Sequence, residues 1–400
     1  MMGGVMATAS RPKVADLFCG CGGLSCGFRW AGFEPILGAD ISHVYLRTYQ
    51  RNFPSARIVH ADLSNLAPSA LRLELGLQRG ELDCLVGGPP CQGFSKNVPA
   101  AQRCLDDPRN RLIATFLAYV DELLPKVVLL ENVAEMVRAY DGAVTRAITR
   151  TLVSLGYSVD VRVLTAADYG VPQVRRRAFF FANRLQRRVS FPEVTHSSNH
   201  GIPKLFGEMR PYVTVWEAIG DLPSMDAGHG ESPVPYPSEP RSEYQRLVRN
   251  GTELLHDHVA RPLRPRQLAR VRALKEGEGT ADLPPELQPE KGYSGAYARL
   301  HSQGVARTIT KWVFHPGSGR FSHPYDDRVI TIREAARLQG FPDWFVFEGS
   351  YVQKANQVGE AVPPLLARAL GEIARHLILG VEKSHDGVDE VVRVHTGRHE

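Results

Sequence analysis

Residues Val14–Leu24 read VADLFCGCGGL, an apolar run of strand type that ends in three glycines, Gly20, Gly22 and Gly23. The residues that follow, LSCGFRWAG, carry a helical pattern. Glycine lacks a Cβ, so the backbone can turn tightly at such a site and come close to a ligand. A strand that passes through a glycine turn into a helix opens a doubly wound α/β unit. In that fold the turn lies at the carboxyl edge of the sheet, where nucleotide-like ligands bind. Asp40 ends the next strand, about 20 residues on, where an acid can hydrogen-bond a ribose diol. Asp62, in IVHADLSNL, ends a third strand and either reaches an adenine amino group or caps a helix. The glycine spacing departs from G-x-G-x-x-G, which argues against a nicotinamide-dependent oxidoreductase.

Working outward, EPILGAD, LDCLVGG and PKVVLLENV are further buried-strand candidates, rich in Val, Leu and Ile and bounded by Gly or Pro. HVYLRTYQRNF and RLIATFLAYVDELL between them suit helices. The alternation predicts an α/β fold with a doubly wound, mostly parallel sheet over residues 11–184. The texture then changes. Residues 185–300 are rich in Pro, Gly, His and Arg, with loop-like stretches such as GESPVPYPSEPRSE, and predict a second, smaller and less regular domain. Helical patterns return in 301–380 with TIREAARLQGF and VPPLLARALGEIARHLIL, and 381–400 is a polar tail.

The composition is that of a globular chain: 400 residues, 43% hydrophobic and 23% charged, which excludes disordered, collagen-like and disulfide-stapled classes. No run of about 18 apolar residues predicts a membrane span. MMGGVMATAS at the start lacks the basic flank and apolar core of a secretory signal. The six cysteines are scattered, which predicts reduced thiols and a cytoplasmic location. Cys19, Cys21 and Cys26 surround the glycine turn with no Cys/His pair to complete a tetrahedral set, so no metal site is expected. The net charge of +5 permits a polyanionic partner without demanding one. RPLRPRQLARVRALK holds Arg261, Arg264, Arg266, Arg270, Arg272 and Lys275 with no acid, either a solvated helix face or a strip that contacts phosphates.

Two residues carry the chemistry. GGPPCQGFS, Gly87–Ser95, follows a buried strand, and its glycines and prolines place Cys91 on a rigid turn at the sheet's carboxyl edge. About forty residues later VVLLENV delivers Glu131 to the same edge. A carboxyl group at the end of so apolar a strand is expected to hold its proton above the usual range and so to act as an acid.

DLFCGCGGLSCGF, GGPPCQGFS, ENV, QVRRR and QVGEAVPP occur here in the order found in DNA (cytosine-5) methyltransferases, and the chain resembles that family from Lys13 to Leu379. The resemblance implies a methyl donor, S-adenosylmethionine, leaving as S-adenosylhomocysteine, and a cytosine extruded from duplex DNA. It implies Cys91 as the nucleophile that adds to C6, Glu131 as the acid at N3, Arg177 at the cytosine carbonyl and Arg175 positioning base or phosphate. The donor would be held by Phe18, Cys19, Gly20, Gly22, Gly23, Leu24, Asp40, Ile41, Asp62, Leu63, Gly88, Pro90, Leu112, Glu360 and Ala361. Gln92, Ser95 and Arg109 would meet DNA from a lid spanning Gln92–Asn110, together with the basic strip; an inert surface loop is the plainer reading of that segment. RLHSQGVARTITKW would organise the recognition region, and REAARLQGFP would support the fold.

QVGEAVPP departs from the family pattern, in which Asn follows the glycine; here Glu360 stands there. A carboxylate could still hydrogen-bond the donor's ammonium or hydroxyl groups. The implied setting is a bacterial restriction–modification system with a separately encoded cognate endonuclease, the enzyme acting as a monomer. Two rivals remain: a tRNA methyltransferase of the same family, whose Cys-Phe-Thr signature is missing here, and a non-catalytic DNA-binding protein on this scaffold.

Overall fold

Strand formation follows the apolar runs closely. In the computed structural model, which describes residues 11–90, 111–198, 209–290 and 295–380, β1 (Lys13–Leu17) pairs in parallel with β2 (Glu34–Asp40), and β2 with β3 (Arg57–His60). On its other side β1 pairs in parallel with β4 (Cys84–Gly87), and β4 with β5 (Val127–Val133). β6 (Ser158–Thr165), β7 (Gln173–Val174) and β8 (Arg176–Asn183) follow. The seven-stranded sheet has the order β3-β2-β1-β4-β5-β8-β6, with β8 antiparallel to both neighbours. β7 stands outside it and pairs with a two-residue strand, Ala306–Arg307.

Helices cover both faces, and for that reason the strands are apolar runs rather than alternating ones. α1 (Gly23–Trp30), α2 (His43–Asn52), α3 (Pro68–Glu74), α4 (Arg111–Leu123) and α5 (Ala143–Ser154) fill the first half. Side chains alternate along each strand. Val14, Val86, Leu129 and Phe181 enter one core with α1 residues such as Phe28. Leu17, Leu85, Leu130 and Phe180 enter the other with Phe116 and Tyr119 of α4.

The later chain adds α6 (Val215–Ile219), α7 (Glu243–Arg249), α8 (Pro265–Arg272), α9 (Ile332–Leu338), α10 (Tyr351–Glu360) and α11 (Pro364–Leu379) among short irregular pieces. α11 returns to pack on α1; a Cβ on Gly27 would lie 2.4 Å from that of Ala367, so only glycine permits the approach. Arg333 and Arg337 of α9 are fully buried, in keeping with a supporting role for REAARLQGFP. Arg337 meets Asp343 at 2.7 Å and Asp221, and Arg328 meets Glu334 at 2.7 Å, a buried ionic lattice that ties α9 to the turn after α6.

The strand order reverses between β1 and β4. In doubly wound sheets the crevice for a ligand forms at that reversal, beyond the carboxyl ends of the strands.

Candidate active site

A cavity of about 640 Å³ opens at that reversal, within the size range of small-molecule sites. Its first half is built on β1, β2 and α2. Gly20, at φ +54, turns the chain so that its N–H donates to Asp40 Oδ2 at 2.9 Å. Ser42 N–H donates to Asp40 Oδ1 at 2.8 Å. Two backbone donors thus fix the Asp40 carboxylate at the cavity wall, while burial pushes its pKa up. Asp16 is wholly buried beneath the glycine turn. Its Oδ2 accepts from Ser25 Oγ at 2.7 Å, and its Oδ1 has no hydrogen-bond partner among the described residues. Burial raises its pKa to about 7 against the hydrogen bonds from Ser25. Glu360, the last residue of α10, accepts from Tyr45 Oη at 2.8 Å, and Lys311 Nζ lies 3.7 Å from its other oxygen.

The second half lies beyond β4 and β5. Gly88 permits close approach, since a Cβ there would sit 3.1 Å from Glu131 Oε2. Asn132 Nδ2 donates to Pro89 O at 3.1 Å and so ties the Gly-Gly-Pro-Pro turn to the end of β5. Glu131 is mostly buried, and its Oε1 lies 3.0 Å from Arg177 Nε. Burial raises the pKa of Glu131, and the charges of Arg177 and Arg175 only partly offset this. The direction of the shift is the one expected for a carboxyl group at the end of an apolar strand. Pro90, which immediately precedes Cys91, lines the cavity; Cys91, Gln92, Ser95 and Arg109 lie outside the described residues.

A carboxylate fixed by two backbone donors, a glycine turn and a buried carboxyl group with a raised pKa therefore face one crevice. The C-5 cytosine-specific DNA methylase family profile matches residues 12–375. The chain belongs to this family. It is 34% identical to the Type II methyltransferase M.AgeI of Thalassovita gelatinovora over 90% of this chain and 98% of that one. It is likewise 34% identical to M.DdeI of Desulfomicrobium norvegicum, over 90% and 88%. A solved structure of a candidate DNA modification methyltransferase from an Escherichia coli prophage superposes with a TM-score of 0.72 at 27% identity, over 92% of this chain and 99% of that one. The protein is a DNA cytosine-5 methyltransferase of the bacterial type, and its mostly parallel α/β sheet is the fold of that family.

The methyltransferase's residues fit S-adenosylmethionine: a fixed carboxylate for a diol, an orphaned buried oxygen on Asp16, and a cavity of suitable size. Every residue expected to hold the donor lines the cavity except Gly22. At φ +98, Gly22 instead packs against α2, where a Cβ would meet the Phe53 ring at 2.8 Å. Asp62 lies two residues past the end of β3 and accepts from Ser64 N–H, Ser64 Oγ and Asn65 Nδ2, so it caps a turn at the cavity rim.

Two of the expected arginines are buried. Arg175 is only 2% exposed. Its Nη1 donates to Ile309 O and its Nη2 to Gly359 O, both at 3.0 Å, so it clamps two backbone segments at the cavity wall. Arg270 is also buried; it donates to Leu287 O at 2.7 Å and to Tyr297 Oη at 2.9 Å, which removes it from any phosphate strip. Arg264 and Arg266 are exposed, Arg261 lies over the Phe314 ring at 4.9 Å, and Arg272 sits 3.3 Å from Asp327.

The cavity also takes residues the sequence reading passed over. Tyr45 sits in the first turn of α2, directly after the acid-bearing end of β2, and that position was a usable signal. Thr308–Lys311 reach the wall because Ala306–Arg307 pairs with β7. That is a contact across more than a hundred residues with no local signature. Cys19, Cys21 and Cys26 are buried, and burial raises their thiol pKa values; Cys19 and Cys21 line the cavity, and Cys26 packs in the core. No group of His, Cys, Asp and Glu suited to a metal ion occurs among the described residues.

Proposed function

We propose that this methyltransferase modifies C5 of a cytosine swung out of duplex DNA, with Cys91 as nucleophile and S-adenosylmethionine as donor. The observation that carries the reading is the Glu131–Arg177 pair facing the same cavity as Asp40. Cytosine C5 is a poor nucleophile. The Cys91 thiolate adds to C6, forming an S–C6 bond, while the Glu131 carboxyl group gives its proton to N3. Arg177 donates to the cytosine carbonyl oxygen and holds the ring in register with Glu131. Bound S-adenosylmethionine supplies an electrophilic methyl group to the activated C5. The C5 proton then passes to a base, the S–C6 bond breaks, Cys91 leaves as thiolate, and N3 returns its proton to Glu131.

Asp40 orients the donor through its ribose, and Asp16, Tyr45 and Glu360 complete that side of the cavity. Arg175 acts as a positioning residue, fixing Ile309 and Gly359 at the wall. The stretch 185–300 reads the DNA sequence, and Gln92, Ser95 and Arg109 meet the duplex near the extruded base. Exposed Arg264 and Arg266 meet phosphates. The Type II names of the relatives favour a restriction–modification setting in a bacterial cytoplasm, with a separate endonuclease, and one chain suffices to extrude one base.

Bisulfite sequencing of DNA from cells expressing the chain tests this reading and locates the target. A duplex carrying 5-fluorocytosine at that target should become covalently joined to residue 91, and Cys91→Ser should abolish both signals. Methyl transfer to tRNA alone would overturn the DNA reading.

A further inference from the structure

Thr308–Lys311 line the cavity, and the next residue, Trp312, stands 54% exposed. Among the described residues only Trp312 and Tyr325 are large aromatics more than half exposed. Tyr325 packs edge-on against Trp216, ring centroids 4.8 Å apart. The ring neighbours of Trp312 belong to its own segment: Phe314 at 5.9 Å and Lys311 Nζ at 5.9 Å. Leaving so large an apolar face in water forgoes the stabilisation that burial would bring.

The turn that carries the ring is held in place. Trp312 O accepts from His315 N–H at 2.9 Å and from Ser318 Oγ at 2.6 Å, and Trp312 N–H donates to Thr310 Oγ1 at 3.3 Å. A turn braced this way fixes the backbone from which the indole projects, one residue past the cavity wall. Cations gather round it. The Arg261 guanidinium lies 4.9 Å over Phe314, and exposed Arg264 is close enough for its charge, with burial and Arg261, to hold His315 below the ordinary imidazole range. The acid that meets this cluster is Glu360, through Lys311.

An exposed aromatic face among cations is the surface that single nucleobases and their phosphates select. Every base has a π-face to stack, and the flanking phosphates take the charges. An apolar protein partner would need a wider patch than one ring, and this one is rimmed by like charges.

We propose that Trp312 is a base-stacking residue: its indole packs on a nucleobase of the DNA at the cavity mouth, while Arg261, Arg264 and Lys311 neutralise the neighbouring phosphates. This rests on the DNA reading above. Stacking holds a base that extrusion of the target has left without its usual neighbour. It lets the duplex stay open beside the cavity without hydrogen-bond readout.

The test uses the full chain and a duplex carrying the target mapped with the parent enzyme. Because Trp312 is exposed, its variants should keep the parent's melting temperature. Trp312→Ala should raise the DNA Kd about tenfold, Trp312→Leu should do nearly as much, and Trp312→Phe should restore most of the affinity. The salt dependence of binding should stay as in the parent for all three, whereas Arg264→Ala should lower its slope by about one. DNA should quench tryptophan emission in the parent more than in Trp312→Phe. A parent that transfers no methyl group to DNA overturns the function and this inference together. A parent that does, beside a Trp312→Ala variant with the same Kd and KM for DNA, or a Leu variant as good as Phe, overturns stacking alone.

Discussion

Glu131 and Arg177 meet at 3.0 Å because of strand register. β5 and β8 run antiparallel with Glu131 opposite Phe179, so Arg177, two residues along β8, projects from the same face at the diagonal position. The pair is thereby fixed by backbone hydrogen bonds rather than by loop conformation.

Removing the proton donor while keeping the shape should stop chemistry and spare binding. Glu131→Gln is expected to lower kcat for methyl transfer at least about a hundredfold, with the DNA Kd within a few-fold of the parent. A variant with parental kcat would remove Glu131 from the mechanism.

Burial raises the pKa of Glu131 above its ordinary value, and Arg177 pulls it back down. The acid form is therefore present below that raised pKa and lost as pH rises through it, which sets an alkaline limb in the rate profile. Arg177→Gln removes the opposing charge, so the limb should move to higher pH even as the overall rate falls. A limb displaced to lower pH would contradict this electrostatic account.

Asp16 titrates near 7 in the fold and near the ordinary carboxylate value when unfolded. The folded state holds the extra proton between those values, so the stability tied to protonation is full below the ordinary value and lost as pH rises through about 7. Asp16→Asn cannot ionise and should escape the loss. Its melting temperature should gain on the parent's between about pH 5 and about pH 8. A constant difference across that range would show that Asp16 is ionised throughout.

Glu360 accepts from Tyr45 and faces Lys311 at the donor half of the cavity. Glu360→Ala is expected to weaken S-adenosylmethionine binding by about three- to tenfold, a modest loss because the carboxylate is half exposed. Calorimetric titration reads this without any methyl transfer. Equal affinities in variant and parent would place Glu360 outside the donor site.

Most of the sheet was legible in the sequence because its strands are buried on both faces and read as unbroken apolar runs. The glycine turn, Asp40 and Glu131 were legible for the same reason, each lying at the end of such a run. What the sequence hid depends on contacts distant in the chain. Nothing in QVRRR announces that Ile309 and Gly359 come to enclose Arg175. Thr308–Lys311 join the cavity only through pairing with β7. The inward turn of Arg270 depends on Leu287 and Tyr297, which no periodicity links to α8.

That difference within one basic strip gives a discriminating experiment. Arg266 and Arg270 lie on α8, one turn apart, and composition alone treats them alike. Arg266 is exposed, so Arg266→Ala should leave the melting temperature unchanged and reduce the slope of log K against log salt for DNA binding by about one. Arg270 instead satisfies the carbonyls of Leu287 and Gln288 and the Tyr297 hydroxyl. Arg270→Ala orphans those groups at a cost of about 1–3 kcal/mol each where they remain buried, so denaturant unfolding should shift to lower concentration. The salt slope of the folded variant should stay as in the parent. If Arg270→Ala changed the slope and left stability intact, its guanidinium would have to turn outward onto a phosphate when DNA binds.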